Sequence, residues 1–195
     1  DGTAPIQFTL PAGYYLVKDQ DGSVGENESY TKYLVKLVAN ANMNIKSQSM
    51  SLRKSILTGN TKVTANNAAM GDTVNYCLES RLSEMDGYDT YTFIFHDELD
   101  EGLTFNNDVA VKIGANENSL TNYADITVEY ATENGTYGST LPEIEKGKKL
   151  YILITLNGLT QQYKNQFVSI TYSATVNEKA NIGNTPNTNA AYLEY

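Results

Sequence analysis

The stretch HDELDEGLTF, residues 96–105, carries the single histidine of the chain and four carboxylates, Asp97, Glu98, Asp100 and Glu101. Histidine beside carboxylates is the raw material of metal ligation and of acid–base catalysis, and spacing separates these uses. Calcium takes roughly six to eight oxygens, and an EF-hand loop arranges its acids around a turn glycine and a closing glutamate, a pattern DELDEG does not follow. DQDGSVGENE, Asp19 to Glu28, starts with a calcium-loop spacing but occupies an expected hairpin link. Solvated turn acids are the reading for both segments, and no metal is assigned. A Ser-His-Asp or Cys-His site would have to use His96, and no Gly-x-Ser-x-Gly elbow accompanies it. On a strand, His96 and Asp97 point to opposite faces, which prevents them from acting as base and orienter. Paired acids of a glycosidase are not selected by any spacing among the 23 Asp and Glu residues.

The elements that would position these groups read as strands. Period-two alternation recurs throughout, whereas helical spacing is not sustained. GYYLVKD and YTKYLVKLV flank the polar link QDGSVGENES and form a strand pair, too little for an independent core. Eight further strands follow: MSLRKSIL, DTVNYCLESRL, YDTYTFIFHD, DVAVKIG, ADITVEYA, KKLYILITL, QFVSITYSATV and NAAYLEY. RLSEMDGYDT is read as a connection. The expected architecture is all-β, an immunoglobulin-like sandwich preceded by the strand pair.

Strand parity then picks out three polar residues. In YTFIFHD, Tyr91, Phe93, Phe95 and Asp97 share a face, so aromatic rings turned to the core carry Asp97 inward with them. Lys54 lies between Leu52 and Ile56, and Asn189 shares parity with Ala191, Leu193 and Tyr195. A buried charge is costly unless paired, so one outcome is a Lys54–Asp97 salt bridge with Asn189 as hydrogen-bonding neighbour. The other is a reaction. Desolvation lowers a lysine pKa and raises that of an aspartate, giving a neutral amine beside a protonated acid. Asp97 then polarises the Asn189 carbonyl and shuttles protons while ammonia leaves, which produces an amide crosslink.

Composition narrows the class. A net charge of -9 argues against nucleic acid and anionic membranes as partners, since both call for clustered Lys and Arg. No apolar run approaches the roughly 20 residues of a membrane helix, and the N-terminal DGTAPIQFTL lacks the regions of a signal peptide. One cysteine, Cys77, excludes an internal disulfide and a cysteine-based zinc site.

AAMGDTVNYCLESRLSEMDGYDTYTFIFHDELDEGLTF and FVSITYSATVNEKANIGNTPNTNAAYLEY together resemble the isopeptide-forming domain of Gram-positive fimbrial backbone proteins, and LPAGYYLVKD with YTKYLVKLV resembles the segment that precedes it. The resemblance implies a sandwich of the collagen-adhesin type over residues 47–195, with 1–46 ending a preceding pilin domain. It implies Lys54 as the crosslinking lysine, Asp97 as the promoting acid and Asn189 as the asparagine, with Asn187 as second candidate. It further implies a structural pilus or stalk module outside the cell and attached to the wall, with other pilin subunits or domains as partners. No cofactor and no turnover of an external substrate are expected. The alternative is an adhesin module that binds a host matrix protein or glycan. A wall-acting enzyme has least support.

Overall fold

The computed structural model describes residues 8–18, 32–38, 51–59, 61–82, 89–133, 135–183 and 185–194. The link QDGSVGENES, all of the candidate calcium segment from Asp19 to Glu28, residues 83–88 of the RLSEMDGYDT connection, and Tyr195 lie outside them. The chain divides into two units, 1–49 and 50–195. The first contains an antiparallel ribbon of β1 (Gly13–Lys18) and β2 (Lys32–Leu37), in register from Gly13 opposite Leu37 to Lys18 opposite Lys32. Tyr14 and Leu16 are exposed on it.

The second unit has eleven strands among its described residues: β3 (Arg53–Thr58), β4 (Thr61–Val63), β5 (Thr73–Arg81), β6 (Tyr91–Leu99), β7 (Leu103–Phe105), β8 (Ala110–Gly114), β9 (Leu120–Tyr123), β10 (Ile126–Thr132), β11 (Leu150–Leu159), β12 (Phe167–Val176) and β13 (Asn189–Glu194). They form two antiparallel sheets. One has the order β10-β11-β6-β13; the other has β4-β3-β5-β12-β8-β9, with β7 paired to β12. Three of these strands, β4, β7 and β9, were not expected from sequence. Each has three or four residues, too few for alternation to stand out from chance.

The sheets face each other across one apolar layer. Phe93, Phe95 and Leu99 of β6 and Leu150, Ile152, Ile154 and Leu156 of β11 come from one side, and Val74, Tyr76 and Leu78 of β5 and Val168, Ile170, Tyr172 and Ala174 of β12 from the other. Alternation explains the division, because the residues between them point outward. Outward charges also pin β3 in register. Arg53 lies opposite Glu79, and their 2.6 Å ion pair, with Lys62 also on Glu79, clamps β3 and β4 to β5. With Arg53 held outward, its neighbour Lys54 must face the other sheet.

Candidate functional site

Three strands deliver the polar groups to one point in this layer. Lys54 comes from β3; Leu52, just before the strand, and Ile56 within it share its parity and pack against the core. Asp97 comes from β6, between Ile152 of β11 and Ala191 of β13, and is 1% exposed. Asn189 opens β13, whose inward residues Ala191 and Leu193 also pack on the core.

The side chains meet in a closed ring of hydrogen bonds. Lys54 Nζ donates to Asp97 Oδ1 at 2.5 Å and to Asn189 Oδ1. Tyr172 of β12 completes the circuit: its hydroxyl donates to Asp97 Oδ2 and accepts from Asn189 Nδ2 at 2.8 Å. Asp97 thus reaches the amide through Lys54 on one side and through Tyr172 on the other. The walls are aromatic. Tyr76 and Tyr172 stack with centroids 5.2 Å apart, and the ammonium lies 5.7 and 5.9 Å from their ring centres.

Burial dominates the electrostatics. It pulls the Lys54 pKa below its usual value against the opposing pull of Asp97. It pushes Asp97 up despite Lys54 and the Tyr172 hydrogen bond. Tyr172 is driven well above the usual phenol range, first by burial and then by the Asp97 charge. Both shifts in the Lys54–Asp97 pair favour moving one proton from lysine to aspartate, which discharges two ions that are expensive to keep in an apolar interior.

Asn187 is placed differently. Its Oδ1 accepts from Asn181 N at 2.8 Å and its Nδ2 donates to Asn181 O at 3.2 Å, so its amide closes the loop before β13. The turn of HDELDEGLTF holds that loop. Asp100 Oδ2 accepts from Thr188 N at 2.5 Å and from Thr188 Oγ1 at 2.7 Å, immediately before Asn189. Asn177 Nδ2 donates to the Glu101 backbone O at 2.8 Å, and the Glu101 carboxylate accepts from Gly147 N at 2.5 Å. The side chains of Asp100 and Glu101 therefore do more than decorate the turn with charge. Gly102 is needed for close approach: a Cβ there would lie 2.5 Å from both Ala180 Cα and Asn187 Oδ1. Gly102→Ala is expected to cost about 1–3 kcal/mol by overpacking, read as a lowered denaturant midpoint. Unchanged stability would show that the turn and loop do not meet this closely.

His96 points to the opposite face, as parity requires. It stacks on Tyr192 at 4.3 Å and pairs through Nε2 with Glu194 at 2.9 Å, which leaves it 7% exposed and structural. No cluster of three or more His, Cys, Asp or Glu suited to a metal occurs among the described residues. No helix there is long and apolar enough to cross a membrane. Sequence reasoning missed Tyr172 and Asp100. Tyr172 had a usable signal, since in FVSITYSATV it is the one residue with a polar atom on the face shared by Val168, Ile170, Ala174 and Val176.

Neither a protein-family model nor a curated protein matches the chain. Solved structures do. The major pilin SpaA of Corynebacterium diphtheriae superposes with a TM-score of 0.58 at 19% identity, over 95% of this chain and 44% of that one. The full-length major pilin RrgB of Streptococcus pneumoniae gives 0.51 at 20% identity, over 95% and 32%. The fold is that of a Gram-positive major pilin. The chain spans less than half the length of these two pilins. The SpaA structure points to a modular pilus assembly and to stabilising isopeptide bonds in that protein. In this pilin-like sandwich, the lysine projects from one sheet and the acid and asparagine from the other, so a bond between Lys54 and Asn189 would join the two sheets.

Proposed function

We propose that the chain is a stalk module of a Gram-positive surface pilus, reinforced by a self-formed isopeptide bond between Lys54 and Asn189 that Asp97 promotes. The observation that carries this reading is the placement of Lys54 Nζ between Asp97 Oδ1 and the Asn189 side-chain carbonyl in a buried aromatic pocket. Transfer of one ammonium proton to Asp97 leaves a neutral amine in contact with the amide it attacks. The new C–N bond forms at the Asn189 carbonyl carbon, the old one breaks, and ammonia leaves. No second substrate is needed.

The fold gives this bond a mechanical meaning. β3 lies at one end of the unit's strand sequence and β13 at the other, in different sheets. Tension applied across the unit would load the crosslink before the strands between them peel. Other pilin subunits are the partners of such a module, an extracellular fibre its location, and wall attachment a property of the assembled protein.

Intact-mass measurement tests the reading. The folded chain is expected to weigh one ammonia less than its sequence, with a single linked peptide joining the segments around Lys54 and Asn189 after digestion. Asn187→Ala should leave the deficit in place. A full sequence mass would reduce the site to a buried ion pair.

A further inference from the structure

We propose that Tyr172 is a catalytic residue of this crosslinking reaction, the proton donor to the departing ammonia, fed by Asp97. The inference rests on the Lys54–Asn189 reading and adds a group to it. Its basis is which atom touches which. The nitrogen that must leave, Asn189 Nδ2, is hydrogen-bonded to the Tyr172 hydroxyl at 2.8 Å, and that hydroxyl is bonded in turn to Asp97 Oδ2. The acid is one hydroxyl away from the group it has to protonate.

An amide nitrogen is a poor leaving group until it gains a proton, so a donor at this atom affects the step in which the C–N bond breaks. The proton balance closes around the ring. The ammonium of Lys54 first yields one proton to Asp97 Oδ1, the oxygen it touches, and the neutral amine adds to the Asn189 carbonyl carbon. A half-turn of the carboxyl carries that proton to the Tyr172 side. As the oxygen now facing Lys54 accepts the second proton from the adduct nitrogen, the first passes to the Tyr172 oxygen, and the tyrosine hydroxyl, turned from Asp97 toward the leaving group, gives its proton to Nδ2. The Asn189 C–N bond then breaks. Ammonia departs neutral, Tyr172 recovers its hydroxyl, and Asp97 ends as the carboxylic acid.

The surroundings suit a relay. Tyr172 is 3% exposed, stacked on Tyr76 and set against Phe105 at 5.7 Å, so its ring, and with it the hydroxyl, is held in place by packing. β12 lies between β5 and β8 within its sheet, which denies the backbone freedom to drift. Burial keeps the phenol protonated, and therefore able to donate, across the physiological range.

The test follows crosslinking in time. Chain synthesised in a short cell-free pulse is quenched in denaturant at intervals and weighed, for the wild type and for Tyr172→Phe, which keeps the ring and its stacking. The expected result is a half-time lengthened roughly a hundredfold, within the range a positioned proton donor contributes. A wild-type half-time in the phenylalanine variant, with the wild type itself short by one ammonia, would overturn the relay and leave the crosslink standing. A wild type of full mass would overturn both. Should Tyr172→Phe fail to fold, 3,5-difluorotyrosine at position 172 decides, since it retains ring and hydroxyl but holds its proton less tightly. A changed half-time and pH profile support the relay. A half-time and profile identical to those of the wild type overturn it, because a packing role is indifferent to phenol acidity.

Discussion

Lys54→Met is expected to melt about 10–20 °C below the wild type. The proposed bond closes a loop of 135 residues, and the chain-entropy relation for a covalent link of that span gives about 5 kcal/mol. For a unit of this size each kcal/mol moves the midpoint by roughly 2–4 °C. Methionine refills the volume of the lysine stem, so the effect does not arise from a cavity. A second consequence follows from Asp97, which then lacks its cation. Burial raises its pKa, and without Lys54 the largest opposing pull is gone. The folded variant holds a proton that the unfolded chain releases above the ordinary aspartate value of 3.8. Its stability should therefore rise as pH falls from neutral toward about 4, and fall as pH rises through the elevated folded pKa. Thermal melts across this range measure both effects. A variant as stable as the wild type at every pH would remove the crosslink from the stability of the unit.

Asp97→Asn is expected to slow bond formation by roughly 10²–10⁴-fold, leaving freshly folded protein at full sequence mass. The substitution preserves shape, its Oδ1 can still accept from Lys54 and its Nδ2 can donate to the Tyr172 oxygen, but it cannot carry a proton between them. Lys54 does not become a worse nucleophile, because burial is the principal cause of its lowered pKa and the charge opposing that shift disappears. What is lost is the path from the adduct nitrogen to the leaving group. The residual reaction should accelerate with rising pH as the ammonium gives up its proton to solvent. In the wild type the proposed transfer of that proton to Asp97 is internal, and the dependence near neutrality should be shallow. Mass spectra taken over days at several pH values distinguish these profiles; wild-type kinetics in Asp97→Asn would show that the acid is structural.

Much of this geometry was legible because it obeys a single rule. Alternation in YTFIFHDEL turned Asp97 to the same side as Phe93 and Phe95, and the same rule turned Lys54 and Asn189 inward, where their side chains meet. The rule has no purchase on very short segments, which is why TKV, LTF and LTNY did not read as strands. It also ranks residues by charge, so a tyrosine among apolar neighbours counted as core, although the Tyr172 hydroxyl is half of the ring's connectivity. Asp100 was hidden for another reason. Its partner Thr188 lies 88 residues away, and no local pattern predicts which distant backbone amide an acidic turn will hold. His96 drew attention by being rare, but rarity in sequence carries no geometric information.

Lys54 and Asn189 belong to strands at opposite ends of the unit's sequence, and Asn189 reaches the lysine only once Thr188 is tethered to Asp100 and β13 has paired with β6. A nascent or misassembled chain cannot bring the amine and amide together, whatever else it has formed. In the proposed reaction each molecule would react once, with no reversal after ammonia diffuses away. The proposed bond would therefore be a permanent certificate of completed assembly, written into the mass of each copy, and the fraction of uncrosslinked molecules in a preparation would count those that never docked their last strand or have not yet reacted.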